Sequence, residues 1–329
     1  MTRTNPESPS ASLPDTIEPM TVSEATDVSR SIIENVSRVI VGKDEEIKDV
    51  LIGALAGGHL LLEDVPGVGK TMLARSIARS IDCEFSRIQF TPDLLPTDVT
   101  GVNVYNQQTA TFEFQPGPVF GNVVLGDEIN RAPPKTQSAL LEAMGERQVT
   151  VDGETRGMPE PFVVIATQNA VETDRTYELP AAQVDRFMKQ LRIGYPESED
   201  ESEVLRRAAG HHPIEELTPV ATARDLLRAR ETVVGVTVEE PIREYVIDLA
   251  TYTRENAVLG VSPRGAIQLV RAAKARAVLD GREYVVPDDI KAEVLSVFGH
   301  RIRRGSDDRI GGEASREVAK WALDRVPVQ

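Results

Sequence analysis

The segment Glu63-Asp64-Val65-Pro66-Gly67-Val68-Gly69-Lys70-Thr71 places two glycines, a lysine and a hydroxyl residue after an apolar run and before a helical pattern that opens at Met72. Gly67 and Gly69 let backbone N–H groups turn inward around phosphate oxygens, and the following helix N-terminus adds its partial positive charge. In such a loop Lys70 reaches the β- and γ-phosphates, and the Thr71 hydroxyl holds Mg²⁺. Cofactor binding is therefore expected over Pro66, Gly67, Val68, Gly69, Lys70, Thr71 and Met72, with ATP and Mg²⁺ as the ligands. Asp64 departs from the pattern G-x-x-x-x-G-K-[ST] by taking the first glycine's place. It is expected to be tolerated because Asp enters left-handed backbone more readily than most residues.

A second group is Val123-Val124-Leu125-Gly126-Asp127-Glu128, an apolar run ending in two carboxylates. Two carboxylates at the end of a buried strand are costly unless something compensates them. Mg²⁺ at Asp127 and a polarised water at Glu128 would do so, with Asp127 in the metal shell and Glu128 as general base. Successive strand residues face opposite ways, so different roles are expected of the two. Phe162-Val163-Val164-Ile165-Ala166-Thr167-Gln168-Asn169 repeats the design, and Asn169 is read as orienting the attacking water or touching the γ-phosphate. Arg186, in Asp185-Arg186-Phe187, is read as a finger reaching a neighbouring subunit's nucleotide; its alternative is an exposed ion pair with Asp185. Arg264 lies in the first turn of a helix capped by Ser262 and begun by Pro263. A cation there opposes the helix dipole, which implies an anionic partner.

A parallel sheet is needed to position these groups. Apolar runs at 60–62, 85–90, 123–125 and 162–166 alternate with helical stretches, as in an α/β fold. Their lack of polar alternation predicts strands covered on both faces. Three of them present functional groups at their C-terminal ends, where open parallel sheets bind ligands. A helical period begins at Ser23, with Val28, Ile32, Ile33, Val36 and Ile40 on one face, and residues 44–56 form a second helix stopped by Gly57-Gly58. Residues 102–114 and 148–157 read as hairpins, the second turning at Asp152-Gly153; each fits a lever on a substrate or a decoration of the core. From Pro196 onward helical patterns take over, at 221–231, 241–256, 263–279 and 287–297. The expected organisation is a flexible tail over 1–22, an α/β nucleotide-binding core over 23–195 and a helical domain over 196–329.

The 329 residues carry 52 Asp+Glu against 37 Lys+Arg, a net charge of −15, which leaves no overall basic footprint for nucleic acid. Only eight of the cations are Lys. An acidic, Lys-poor surface fits either adaptation to concentrated salt or a GC-rich genome. The single Cys83 excludes a disulfide framework and a multi-Cys zinc site. The four His show no metal-ligand spacing, and His211-His212 before Pro213 reads as a loop. No run approaches the roughly 20 apolar residues that span a bilayer, and the N-terminus lacks an apolar signal core. A soluble, cytoplasmic chain without membrane insertion is expected.

Val41-Gly42-Lys43-Asp44, the loop 62–71, the stretch from Asp127-Glu128-Ile129-Asn130-Arg131 to Gln137, and Gln148-Val149-Thr150-Val151-Asp152-Gly153 together resemble the MoxR family of AAA+ ATPases. The resemblance runs over most of the chain, and the stretch 127–153 is its family-specific part. It implies an AAA+ P-loop core with a parallel five-stranded sheet and flanking helices, a helix-2 insert and a pre-sensor hairpin, followed by a C-terminal all-helical lid. By position, Lys70 and Thr71 belong to Walker A, Asp127 and Glu128 to Walker B, Asn169 to sensor 1, Arg186 to the arginine finger and Arg264 to sensor 2. Val41 and Gly42 fall where the family lines the adenine pocket, and Arg131 is a second finger candidate. Asp64 is a familiar occupant of its position in this family. The departures are Ala170, where Pro is common, and Ala181, where Glu is common.

The resemblance also implies ATP hydrolysis in a homo-oligomeric ring, commonly a hexamer, with nucleotide at subunit boundaries. It implies a von Willebrand factor A-domain or DUF58-type partner and a client protein that is remodelled, assembled or supplied with metal. Two alternatives stay open on the sequence. A DNA-translocating motor is disfavoured by the negative charge and by 5% aromatic residues. A nucleotide-gated scaffold without turnover is disfavoured by the intact Glu128, Asn169 and Arg186.

Overall fold

The computed structural model describes residues 17–169, 177–208, 213–305 and 311–328; Ala170 and the His211-His212 pair lie outside them. Helices α1 (Val22–Ser37) and α2 (Asp44–Leu55) open the fold. Thr21 caps α1: its hydroxyl accepts the Glu24 N–H, and Glu24 accepts the Thr21 N–H in return, at 3.2 and 2.8 Å. The buried face of α1 is centred on Ala25, Ser29, Ile32 and Val36, with Val28 and Ile33 at its margins. The end of the expected tail is thus part of the fold. Met20 is 5% exposed, and its carbonyl accepts from Thr232 at 2.6 Å.

The middle of the chain runs β1 (Leu60–Asp64), α3 (Lys70–Ser80), β2 (Phe85–Gln89), α4 (Pro96–Thr100), β3 (Gly101–Asn106), β4 (Thr111–Pro116), β5 (Val123–Asp127) and α5 (Pro134–Glu146). It continues with β6 (Gln148–Val151), β7 (Glu154–Gly157), β8 (Val163–Asn169), α6 (Ala181–Val184) and β9 (Lys189–Leu191). Five parallel strands make the central sheet in the order β2-β5-β8-β1-β9. Side chains alternate across it. Leu60, Leu62, Val123, Leu125, Val163 and Ile165 enter one apolar cluster, while Leu61, Val124, Val164 and Ala166 enter the other.

The expectation that all four runs are covered on both faces holds for β1, β5 and β8, every residue of which is buried. It fails for β2, an edge strand in which only Ile88 is buried. The polar Ser86, Arg87 and Gln89 are tolerated there because one side of the strand is open. The opposite edge, β9, is wholly buried despite the sequence Lys189-Gln190-Leu191. The two remaining strand pairs are hairpins: β3–β4, and β6–β7 turning at Asp152-Gly153. Both residues of that turn have positive φ, +51° and +86°, as a type I′ turn demands.

The rest of the chain is helical: α7 (Ser198–Ala208), α8 (Pro213–Glu216), α9 (Ala223–Gly235), α10 (Glu240–Glu255), α11 (Pro263–Leu279), α12 (Pro287–Phe298) and α13 (Glu313–Arg325). Residues 195 and 196 fall between β9 and α7, but the apolar core does not stop there. One cluster joins residues of α1, α2 and α3 to residues of α9 through α13. The protein is therefore an α/β core with a five-stranded parallel sheet and a C-terminal helical region packed onto its N-terminal helices. Among the described residues, no helix is long and apolar enough to cross a membrane.

Candidate active site

The sheet register aligns the functional ends of the strands. Asp64 pairs with Asn169 across β1 and β8, and Gln89 pairs with Asp127 across β2 and β5. A cleft of about 380 Å³ opens beyond these ends, lined by Pro66, Gly67, Gly69, Lys70, Thr71, Met72, Asp127, Glu128 and Asn169, together with Arg87. Nine of the residues singled out from sequence thus meet in one place. Val68, from the same loop, packs against the apolar core instead.

Gly67 and Gly69 have φ of +88° and +89°, and a Cβ built on either finds no atom within 4 Å. Glycine is required here by the sign of φ, and the space it faces is open, as a phosphate cradle needs. Lys70, the first residue of α3, donates to the carbonyls of Asp64 and Val65, both at 3.1 Å. Burial lowers its pKa, against the opposing pull of Asp64, Asp127 and Glu128.

Asp64 works differently from the sequence expectation. It ends β1 and has no left-handed backbone. Its carboxylate is an anchor: Oδ1 accepts the Val65 N–H at 2.9 Å, and Oδ2 accepts those of Ile193 and Gly194 at 2.6 and 2.7 Å. Asp64 therefore ties the phosphate loop to the segment that leaves β9.

The pair at the end of β5 also departs from simple strand alternation. Asp127 is the last strand residue, whereas Glu128 lies beyond the strand in left-handed backbone, φ 57° and ψ 49°. Such a conformation costs a non-glycine residue about 1–2 kcal/mol. The turn, rather than the pleat, separates the two carboxylates while leaving both on one cleft. Thr167 of β8 secures it: its hydroxyl accepts the Glu128 N–H at 2.9 Å and donates to Asp127 Oδ1 at 2.7 Å. Arg87 pairs with Asp127 Oδ2 at 2.6 Å. Glu128 Oε2 accepts from Gln89 at 2.8 Å and from Arg131 at 2.9 Å.

Arg87, Gln89 and Thr167 are site residues that no motif in the sequence marks. Two of them have a signal in the sequence: Arg87 and Gln89 alternate with Ser86, Ile88 and Phe90 on a strand beside the Asp-Glu strand, so both polar side chains share a face.

Of the arginines expected at the site, neither Arg186 nor Arg264 lines the cleft. Arg186 donates to the Leu141 carbonyl of α5 at 2.5 Å and does not line its own chain's cleft. Arg264 is exposed in the first turn of α11, where Ser262 caps as expected by accepting the Gly265 N–H at 3.2 Å. The Ser262 hydroxyl also donates to Asp185, which pairs with the buried Arg301 at 2.8 Å. Burial lowers the Arg301 pKa to about 10, and the nearby Arg264 pushes the same way. Arg131 is engaged with Glu128. Val41 and Gly42 lie outside the cleft lining. Gly42 has φ +69°, and the Asp200 carboxylate of α7 occupies the space a side chain would need. Ala181 is the first residue of α6, after Pro180.

A glycine-rich loop between a parallel strand and a helix, facing an Asp-Glu pair at a neighbouring strand end, defines the P-loop ATPase class. The model of the ATPase family associated with various cellular activities (AAA) matches residues 59–189, and that of the AAA lid domain matches residues 249–320. The chain is 49% identical to the uncharacterized protein YeaC of Bacillus subtilis over 301 residues, 90% of this chain and 94% of that one. It is 41% identical to the chaperone MoxR1 of Mycobacterium tuberculosis over 306 residues, 90% of this chain and 80% of that one. The crystal structure of a candidate ATPase from Cytophaga hutchinsonii superimposes with a TM-score of 0.86 at 40% identity, covering 94% of this chain and 97% of the other. The chain belongs to the MoxR family of AAA+ ATPases.

Proposed function

We propose that this chain binds ATP with Mg²⁺ in the cleft, hydrolyses the γ-phosphate and uses the cycle to remodel or assemble client proteins. The observation that carries the reading is the convergence of Lys70, Thr71, Asp127, Glu128 and Asn169 on one cleft at the aligned strand ends. The donor set fits the ion: Thr71 offers a hydroxyl and Asp127 a carboxylate, both hard oxygen ligands beside an open phosphate cradle. Mg²⁺ held by these two residues would supply neutralisation of charge between the β- and γ-phosphates.

The chain's own groups do the rest. Lys70 exchanges its two backbone carbonyls for phosphate oxygens, a trade of neutral for charge-assisted hydrogen bonds. Glu128 takes a proton from the attacking water, its carboxylate held in place by Gln89 and Arg131. Asn169, at the next strand end, orients that water. Arg186 acts as the finger on a neighbour's nucleotide in a hexameric ring, and Arg264 meets the γ-phosphate when the helical lid (196–329) closes on the core (23–195). Val41 and Gly42 border the adenine.

The printed name of the mycobacterial relative, a chaperone, supports the client-remodelling part. A von Willebrand factor A-domain or DUF58-type protein is the partner we infer. Glu128→Gln should bind ATP within a few-fold of wild type and lose hydrolysis by about 10²-fold or more. Phosphate release measured beside nucleotide binding tests this; undiminished turnover would overturn it.

A further inference from the structure

A second cavity, of about 670 Å³, lies beyond the opposite ends of the strands. Gly57 and Glu160 on its wall lie in the segments that lead into β1 and β8, so it is separated from the nucleotide cleft by the length of a strand, about 17 Å. Its walls come from both parts of the chain: the end of α2 and Arg147 from the α/β core, α9 and α11 from the helical region.

The charge of this cavity opposes that of the molecule. Five cations line it against only Glu160 and Glu231, in a chain of net charge −15. Arg243 is neutralised by Glu240, which leaves Arg147, Arg230, Arg271 and Lys274. Arg147 meets Glu160 only at 3.6 Å, with both side chains more than half exposed. Arg230 is the informative residue. Its Nε donates to the Ala54 carbonyl at 2.8 Å, while its Nη2 is buried and has no hydrogen-bond partner among the described residues. A buried guanidinium N–H without a partner costs about 1–3 kcal/mol. Burial lowers the Arg230 pKa to about 10, with Arg147 adding to the effect, and lowers that of Lys274 with Arg271 adding to it. These cations repel one another across a space that no described residue fills. Apolar side chains such as Leu227 and Ile267 complete the wall.

We propose that this cavity is a binding site for a small organic anion carrying at least two negative charges, of phosphate or carboxylate type, and an apolar body. The Arg147–Arg230 end takes the charges in bidentate fashion, and the Leu227–Ile267 wall covers the body. Because the walls belong to both the core and the helical region, an occupant clamps the two together.

The test uses the full chain carrying Lys70→Ala, which removes phosphate binding at the nucleotide cleft. Pyrophosphate and AMP are titrated separately at fixed ionic strength, with calorimetry and thermal unfolding as readouts. At least one probe should bind saturably at one site per chain and raise Tm. Adding Arg230→Gln should weaken that binding at least tenfold. Arg147→Asn/Arg271→Gln, two exposed positions with Asn suited to the left-handed backbone of Arg147, should do the same while leaving the fold unchanged and, made separately in the chain that keeps Lys70, leaving ATPase unchanged. Tighter binding of AMP than of pyrophosphate assigns the apolar wall to the ligand's body. Absence of saturable binding by both probes overturns the proposal, as does binding that survives the paired exposed variant. So does tighter binding of pyrophosphate than of AMP, since the apolar wall would then contribute nothing.

Discussion

Lys189 offers the sharpest test of how the molecule is held together. It is fully buried in β9, with Nζ 2.6 Å from Asp49 of α2 and 2.7 Å from Glu293 of α12. Glu293 is also fully buried and pairs at 2.6 Å with Arg276 of α11. Four elements of the core and helical region thus meet on one ion network. Lys189→Met keeps most of the side-chain volume and removes the charge. Taking one partner from a buried pair costs about 3–5 kcal/mol. Because Arg276 still holds Glu293, the lower end applies, about 3 kcal/mol. At about 1.5 °C per kcal/mol for a protein of this size, Tm should fall by about 4–5 °C.

Acidification gives the loss a sign. Burial raises the Glu293 pKa, but Lys189 and then Arg276 outweigh it, so in the wild type the carboxyl titrates below its ordinary value. That stability is present above the unfolded pKa near 4.5 and is lost as pH falls through the depressed value. Without Lys189, burial is opposed by Arg276 alone, and protonation of Glu293 relieves the variant before it harms the wild type. The gap between the two should therefore narrow as pH drops from 7 toward 4.5. The Lys189→Met/Glu293→Gln double variant should lose less than the sum of its singles, by about 1–2 kcal/mol. Urea unfolding across this pH range is the assay. A single-variant loss below 1 kcal/mol at pH 7, or a gap that widens on acidification, would refute the reasoning.

Three further outcomes follow from the geometry. His59 is buried with Nδ1 accepting the Val164 N–H and Nε2 facing the Met144 carbonyl, and burial lowers its pKa to about 3. The folded state keeps it neutral, so below pH 6.5 the unfolded state binds the extra proton and stability falls by up to about 1.4 kcal/mol per pH unit down to pH 3; His59→Asn should flatten that slope in acid unfolding curves. Asp64→Gly restores the glycine common to the phosphate-loop pattern, yet it should lower stability by about 3 kcal/mol because it strips acceptors from the Ile193 and Gly194 N–H groups; an equal or improved urea midpoint would contradict the anchor role. Thr167→Val removes the hydroxyl shared by Asp127 and the Glu128 backbone, and kcat should fall about tenfold or more with KM little changed, as steady-state kinetics will report.

Much of the site was legible because P-loop chemistry is local in sequence. Glycine, lysine and hydroxyl residues are contiguous at 67–71, and Asp127-Glu128 and Asn169 each close a recognisable apolar run. What escaped notice depends on neighbours that only the sheet brings together. Thr167 matters because β8 lies beside β5, and Arg87 and Gln89 because β2 does. Strand β9, the last core strand expected after Arg186, has no apolar run to mark it: Lys189 reads as a surface residue until Asp49 and Glu293 surround it. At Asp64 the backbone tolerance of the residue type is beside the point, because its carboxylate is what counts.

The cluster that joins α1 to α9 and α11 has a temporal consequence. Thr26 of α1 donates to the Val278 carbonyl at 2.6 Å, and Met20 accepts from Thr232. On the ribosome α2 and α3 follow α1 directly, yet the α9 and α11 groups that complete its burial, Thr232 and Val278 among them, come more than 200 residues after Met20 and Thr26. At about 5–20 residues per second that part of its cover arrives at least 10 s later. The packing of α1 is thus completed only once α9 and α11 have been made. Fragments divided after β9 should complement one another when mixed, each supplying surface the other lacks, and neither should be fully stable alone.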